Sequence, residues 1–353
     1  MINSLQSFRG IFAIFIFFHH YHFRDLNNIF PAGGDCGVAF FFILSGFVLC
    51  IGYQDKILKH RLSFRSFIYK RIIKLYPLHI LCFIWAFGLN RFSIPAGAEI
   101  QWIFNFFLIQ SWIPESSFYF SGNAVGWCLS DIIFFYISFP LLIYLINRYK
   151  KSFLTISLSM CLIWICVSPY IPLEYRHAII YINPLPRLLD FLLGIILYQI
   201  FHNLQMNPSN IFDKIRDNFF ISSTIEIITI LLLISTLLAY NYFPEYWTLS
   251  SFWWLPCCLI IFIFSIKLNG LISRLIDLKP IIMFGNISFT FYMIHVLGMT
   301  TCNILLSKLQ VHQNIEFNLI CVLVFDLFFT IIISQYIEYP VSNFLKKYIH
   351  FLK

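Results

Sequence analysis

The chain has 353 residues, of which 59% are hydrophobic, 20% aromatic and only 11% charged, with a formal net charge of +8. A water-soluble globular domain carries about a quarter charged residues, so this composition excludes one and describes a polytopic membrane protein. The positive balance does not describe a nucleic-acid binder, because Lys and Arg fall in short stretches between apolar runs rather than on one basic face.

The first run, RGIFAIFIFFHHYHF (9–23), sets Arg9 before the apolar residues and His19 and His20 within them. On a helix each residue turns about 100° and rises about 1.5 Å. Arg9 and His20 therefore share a face roughly 16 Å apart along the axis, while His19 points about 80° away. Arg at a cytoplasmic helix end is an ordinary anchor, whereas ionisable groups within a span are rare and tend to be functional. From this geometry alone a structural and a chemical role for His20 stand level. No small-residue cleavage site follows the run, so it is expected to stay as a span.

Further apolar runs at 36–53, 76–90, 125–146, 153–170, 186–203, 220–240, 251–267, 281–306 and 317–337 bring the expected spans to ten, the first being 11–23. An eleventh stretch, 101–112, is short and carries Gln101, Asn105 and Gln110. The positive-inside rule decides its placement. If it does not cross, nineteen Lys and Arg fall inside, among them Lys214 and Lys353. Four then fall outside, Arg24, Arg91, Arg176 and Lys308, and Arg187 opens a span. If it crosses, the bias largely vanishes. The expectation is an all-α integral membrane protein with about ten transmembrane helices and both termini cytoplasmic. A short outer-face interfacial or re-entrant helix lies near 101–112, and 1–353 forms one domain without an appended soluble one.

Ten cysteines are scattered along the chain, none at zinc spacing with His, so they read as small core residues and no metal is predicted. Seven Lys or Arg crowd the inner segment 56–74. Part of that crowding is orientation, and part of it can serve an anionic ligand; Arg71 and Lys74 stand three residues apart on neighbouring faces of one helix. Arg187 and Asp190 at i, i+3 read as a local ion pair at an outer helix end. His295, one turn after Tyr292, reads equally as a core polar residue or as support for a site. Glu338 reads as structural, and Ser45 and Gly46 as a place of close helix approach. Ser45 has no visible triad partner and is not taken as a nucleophile. His19, His22 and His79 have no assigned role. Trp102, Trp112, Trp127, Trp253 and Trp254 suit an interfacial belt.

Several stretches, in order, carry a resemblance: Arg9-Gly10 with His20 at this spacing, GVAFFFILSGFVL (37–49), FIYKRIIKLYPLH (67–79), WCLSDIIFFY (127–136), PRLLDFLLGIIL (186–197), NISFTFYMIH (286–295) and IEYP (337–340). Together they resemble the acyltransferase 3 family of integral membrane enzymes, which move acyl groups, often acetyl from acetyl-CoA, onto envelope carbohydrates. Four positions depart from the family's pattern. Ala39 stands where an acidic residue is frequent, with Asp35 four residues earlier. Asp131 and Ile132 stand where Val and then Glu are common, so the carboxylate is turned about 100°. Lys74 stands where Arg is more usual.

The resemblance implies that His20 is the catalytic histidine and that Arg9 helps bind the coenzyme or position the acyl donor. It matches Arg71 and Lys74 to the family's basic positions and leaves His295, Tyr292, Asp131 and Ser45 as candidate supporting groups. Acetyl-CoA would arrive from the cytoplasm, and a carbohydrate hydroxyl of a surface polysaccharide such as lipopolysaccharide O-antigen from the outer side of a bacterial inner membrane. The competing readings are a multi-span transporter or channel for an envelope precursor, a non-enzymatic scaffold, and an acyltransferase acting on peptidoglycan, a lipid-linked sugar or a small molecule.

Overall fold

The computed structural model describes residues 2–21, 30–206, 215–310 and 314–348. His22, Arg24, Lys214 and Lys353 lie outside the described residues. Every regular element among the described residues is helical. The main helices are α1 (Asn3–His20), α2 (Pro31–Leu58), α3 (Phe64–Leu89), α4 (Glu99–Phe106), α5 (Trp127–Arg148), α6 (Lys150–Val167), α7 (Pro184–Met206), α8 (Phe219–Ala239), α9 (Trp254–Ser265), α10 (Lys279–Lys308), α11 (Ile315–Ile333) and α12 (Tyr339–Tyr348). Helices satisfy their own backbone groups, which hydrocarbon cannot do for them. Their starts carry the usual signals: Pro31 opens α2, and the Ser63, Asn218 and Asn314 side chains accept from backbone N–H groups of α3, α8 and α11.

Among the described residues, eight helical stretches are long and apolar enough to cross a membrane, and each overlaps one of the expected runs. Of the two remaining runs, 11–23 lies in α1 up to His20 and extends beyond the described residues after Tyr21, and 251–267 folds as a 3₁₀ turn leading into α9. Both are less typical of a lipid-facing span for a physical reason. α1 carries Gln6, Arg9, His19 and His20, and α9 is only 12 residues long. Protein surrounds much of both: Phe12, Ile16 and Phe17 of α1 and Cys257, Ile260, Ile261 and Phe264 of α9 are buried.

Two parallel helix pairs form the centre. α1 lies along α10 with a constant register of 275 residues, so that a Cβ on Gly285 would strike the Gln6 carbonyl, Gly10 faces Phe284 and Gly285, and His20 meets His295. α2 lies along α7 with a register of 145, seen where Gly46 meets Phe191 and where Gln199 Nε2 donates to Gln54 Oε1 at 2.7 Å. Small residues let helix backbones approach where no hydrophobic driving force separates protein from lipid. Gly46 makes the close approach expected of it. Its neighbour Ser45 faces a cavity instead.

The 101–112 stretch is not one of the eight. α4 descends beside α3: Trp102 packs on Phe87 and Phe83, Phe106 on Phe83 and Tyr76, and the Tyr76 hydroxyl donates to the Phe106 carbonyl at 2.6 Å. From Phe87 to Tyr76 is about 16 Å of helix. The chain then returns, tied by Asn105 Nδ2 to the Ser121 carbonyl (2.6 Å) and by Ser121 Oγ to the Gln101 carbonyl (3.0 Å).

Candidate active site

Arg9 of α1, Arg71 and Lys74 of α3 line one end of a cavity of about 120 Å³ enclosed by α1, α2, α3, α5 and α10. None of the three has a carboxylate within 4.0 Å among the described residues. Arg9 donates to the Gln6 amide oxygen at 3.0 Å, three residues before it on α1. The Arg71 guanidinium lies 4.2 Å from the Tyr53 ring centroid and 5.6 Å from that of Tyr136, and its buried Nε has no hydrogen-bond partner among the described residues. Aromatic faces hold a guanidinium in place without neutralising it. Glu338 stands near, but its carboxylate is engaged by the Thr290 hydroxyl. Three cations concentrated without ion-pair partners are expensive away from bulk water. The arrangement is a site that is stabilised by receiving an anion.

Ser45, Cys128 and Tyr292 line the same cavity. Tyr292 is fixed by its hydroxyl, which donates to the Val125 carbonyl at 3.1 Å. Its own carbonyl lies 2.6 Å from His295 Nδ1, and His295 Nε2 lies 3.1 Å from His20 Nδ1. His20 Nδ1 is also 3.0 Å from the Ile16 carbonyl one turn back. His20 itself is not among the residues lining the cavity; Tyr292 and His295 connect the two. His20 remains half-buried at the end of α1, whereas His295 is 1% exposed.

Of the residues singled out from the sequence, Arg9, Arg71, Lys74, Ser45 and Tyr292 thus meet in one cavity, and His295 meets His20. Asp131 does not join them. It is wholly buried on α5, and neither carboxylate oxygen has a hydrogen-bond partner among the described residues. His19 turns away, its Nδ1 2.7 Å from the Pro31 carbonyl and its ring against Gly34. Arg187 and Asp190 do pair, at 3.1 Å, but with both side chains fully buried. Arg187 also donates to the Leu249 carbonyl at 3.2 Å, and Asp190 accepts from Trp254 and Ser250. That pair ties α7 to the entrance of α9, a wider structural role than a local ion pair. Tyr53 and Tyr136, which frame Arg71, carry no signal in the sequence: nothing in a run of apolar and aromatic residues marks which ring will meet a cation two helices away.

Outside the cavity, the π-helical turn His177–Ile182 sets His177 beside Tyr119 and Phe120, with ring centroids 5.8 Å away in each case, and beside Tyr181 at 5.1 Å. Burial, with His19 near, pushes the His177 imidazole below its ordinary pKa. π-turns recur at functional positions.

Comparison with known proteins bears on what this site does. The acyltransferase domain family known as acyltransferase 3 matches residues 2–339. The chain is 30% identical over 183 residues to the acyltransferase MdmB of Streptomyces mycarofaciens, an alignment covering 46% of each chain. It is 36% identical over 77 residues to protein 2 in the picA locus of Rhizobium radiobacter, covering 22% of this chain and 39% of that one. The match therefore spans less than half the length of either relative. No solved structure gives a significant match.

Proposed function

The chain belongs to the acyltransferase 3 family, and from that premise we propose that it is a membrane O-acyltransferase that moves an acetyl group from acetyl-CoA to a carbohydrate hydroxyl. The observation that carries this reading is the cavity. Its one end holds three cations without carboxylate partners among the described residues, and its other end is linked through Tyr292 and His295 to a histidine. Coenzyme A is a thin donor with a polyanionic head. Arg9, Arg71 and Lys74 would take its phosphates, with the guanidinium groups offering paired donors to each. The apolar walls between Phe41, Leu44 and Ile132 suit a narrow arm.

His20 is the base in this scheme, because imidazole titrates near neutrality and can both take and return a proton. The acceptor hydroxyl gives its proton to His20 as its oxygen adds to the thioester carbonyl. The tetrahedral intermediate then expels the coenzyme thiolate, the C–S bond breaks, and the thiolate recovers the proton from His20. One ester and one free thiol result, and the histidine is unchanged.

The acceptor we propose is a surface polysaccharide such as lipopolysaccharide O-antigen, and the location a bacterial inner membrane, with the donor entering from the cytoplasm. The exposed Phe120 ring and the half-buried His177 ring beside it support the carbohydrate choice, since flat aromatic faces suit stacking on a sugar ring. The test is to express the wild type and His20→Ala at equal membrane levels in the source bacterium lacking its own copy. Alkali-labile esters on the polysaccharide are then counted. Esters are expected from the wild type and none from the variant. Esters from both would remove His20 from the chemistry, and esters from neither would remove this acceptor.

A further inference from the structure

We infer that His295 is the positioning residue for His20, a neutral imidazole acting where acyl-transfer sites commonly place a carboxylate. The inference rests on the acyltransferase reading above and adds to it which residue sets the base's tautomer.

The assignment follows from two backbone carbonyls, which can only accept. The Tyr292 carbonyl lies 2.6 Å from His295 Nδ1, so that nitrogen carries a proton and donates it. The Ile16 carbonyl lies 3.0 Å from His20 Nδ1, so that nitrogen carries a proton too. His295 Nε2 sits 3.1 Å from the same His20 Nδ1. A second proton on His295 would point one N–H at another. His295 is therefore neutral, its Nε2 lone pair and the Ile16 carbonyl share the one His20 Nδ1–H, and neutral His20 carries its own ring lone pair on Nε2. That is the nitrogen able to take a proton from an acceptor hydroxyl.

Packing holds this arrangement. The α1–α10 register that sets Gly10 against Gly285 also sets His20 against His295, with ring centroids 5.0 Å apart. Phe17, Phe291 and Tyr292 surround the His295 ring at 6.5, 6.4 and 5.9 Å and keep water from its acceptor nitrogen. Asp131, the carboxylate singled out from the sequence, does not reach His20: neither of its oxygens has a hydrogen-bond partner among the described residues. A neutral imidazole here also avoids the cost of keeping a resting carboxylate charge within the membrane. When His20 accepts the hydroxyl proton, its Nδ1–H bond to His295 becomes charge-assisted and strengthens. The support is thus largest in the transition state, where it accelerates the step.

The test compares wild type, His295→Ala and His295→Gln as membrane vesicles from the source strain lacking its own copy. The probes are radiolabelled acetyl-CoA and the vesicles' own polysaccharide, with turnover counted as alkali-labile label per enzyme. His295→Ala is expected to lower kcat by about 10²-fold while the KM for acetyl-CoA stays within about twofold. His295→Gln is expected to recover about tenfold of that loss, because its amide oxygen can accept from His20 Nδ1–H. Wild-type kcat in His295→Ala overturns the inference. So does a glutamine variant at normal levels and normal donor KM that turns over no faster than the alanine one. If the alanine variant does not accumulate, the glutamine variant decides alone: turnover within about tenfold of wild type supports the inference, and a larger loss at unchanged KM overturns it. No label transferred by the wild type overturns the function proposed above, and this inference with it.

Discussion

At the scale of single residues, the cations separate into those with partners and those without. Arg187 is fully buried yet supplied with Asp190, a carbonyl and two aromatic faces, so its charge serves to hold helices together. Arg71 is packed between Tyr53 and Tyr136 with its Nε unpaired among the described residues, so its charge remains available. Arg71→Ala is expected to raise the KM for acetyl-CoA by about tenfold, equivalent to about 1.4 kcal/mol, with kcat little changed because the phosphate contact is the same in ground and transition states. Arg71→Lys should recover only part, since an ammonium cannot stack between the rings or offer paired donors. Initial rates at varied acetyl-CoA read both, and an unchanged KM in the alanine variant would remove Arg71 from the donor site. Among the carboxylates, Glu226 is structural. It accepts from the Gly270 and Ser273 backbone N–H groups and from the Ser273 hydroxyl, and so caps the short helix Leu271–Ile276.

At the scale of elements, the catalytic geometry depends on how closely α1 and α10 approach. Gly285 has no room for a side chain, because a Cβ there would strike the Gln6 carbonyl. Gly52 of α2 has no heavy atom within 4 Å of the corresponding point among the described residues. Gly285→Leu is expected to wedge the two helices apart, to cost on the order of 1–3 kcal/mol of stability, and to lower turnover by separating His20 from His295. Gly52→Leu should change neither. Melting of the purified protein in detergent, together with the ester assay, checks the pair; a Gly285→Leu variant as stable and active as Gly52→Leu would contradict the packing argument. The α4 segment illustrates a second element-scale effect. Its eight residues are too few to cross a bilayer of about 30 Å, yet Trp102 and Asn105 are buried because the segment lies against α3 rather than in lipid.

At the scale of the whole molecule, helix direction carries information that hydropathy does not. α2 and α7 run parallel at a register of 145 residues. Between them α3, α5 and α6 are each long and apolar enough to cross. Three crossings followed by α7 give a parallel pair, whereas a fourth crossing at 101–112 would make it antiparallel. The packing thereby supports the arrangement in which that stretch dips and returns, and with it the ten-span topology we propose, α1 and α9 completing the eight. Sidedness is tested by single cysteines replacing Arg61 and Gly97, both exposed, in a cysteine-free background. A membrane-impermeant maleimide should label position 97 in intact spheroplasts and position 61 only after permeabilisation. The opposite pattern would place the cation end of the cavity outside, and a cytoplasmic donor would have no route to it.

The sequence by itself determined the class of protein, nearly every helix and the residues worth watching. These follow from local quantities: a run of apolar residues folds as a helix wherever it meets lipid, and Arg9, His20, Arg71, Lys74 and His295 stand out because ionisable groups are rare among such runs. Only the tertiary structure decided which of them meet. The His20–His295 pair joins positions 275 residues apart, and it forms because glycines on two different helices allow one close approach and fix one register. Asp131 and His295 both stood as candidate supporting groups along the chain; the packing of α10 on α1 brings His295 to His20, while Asp131 is buried on α5 with no hydrogen-bond partner among the described residues.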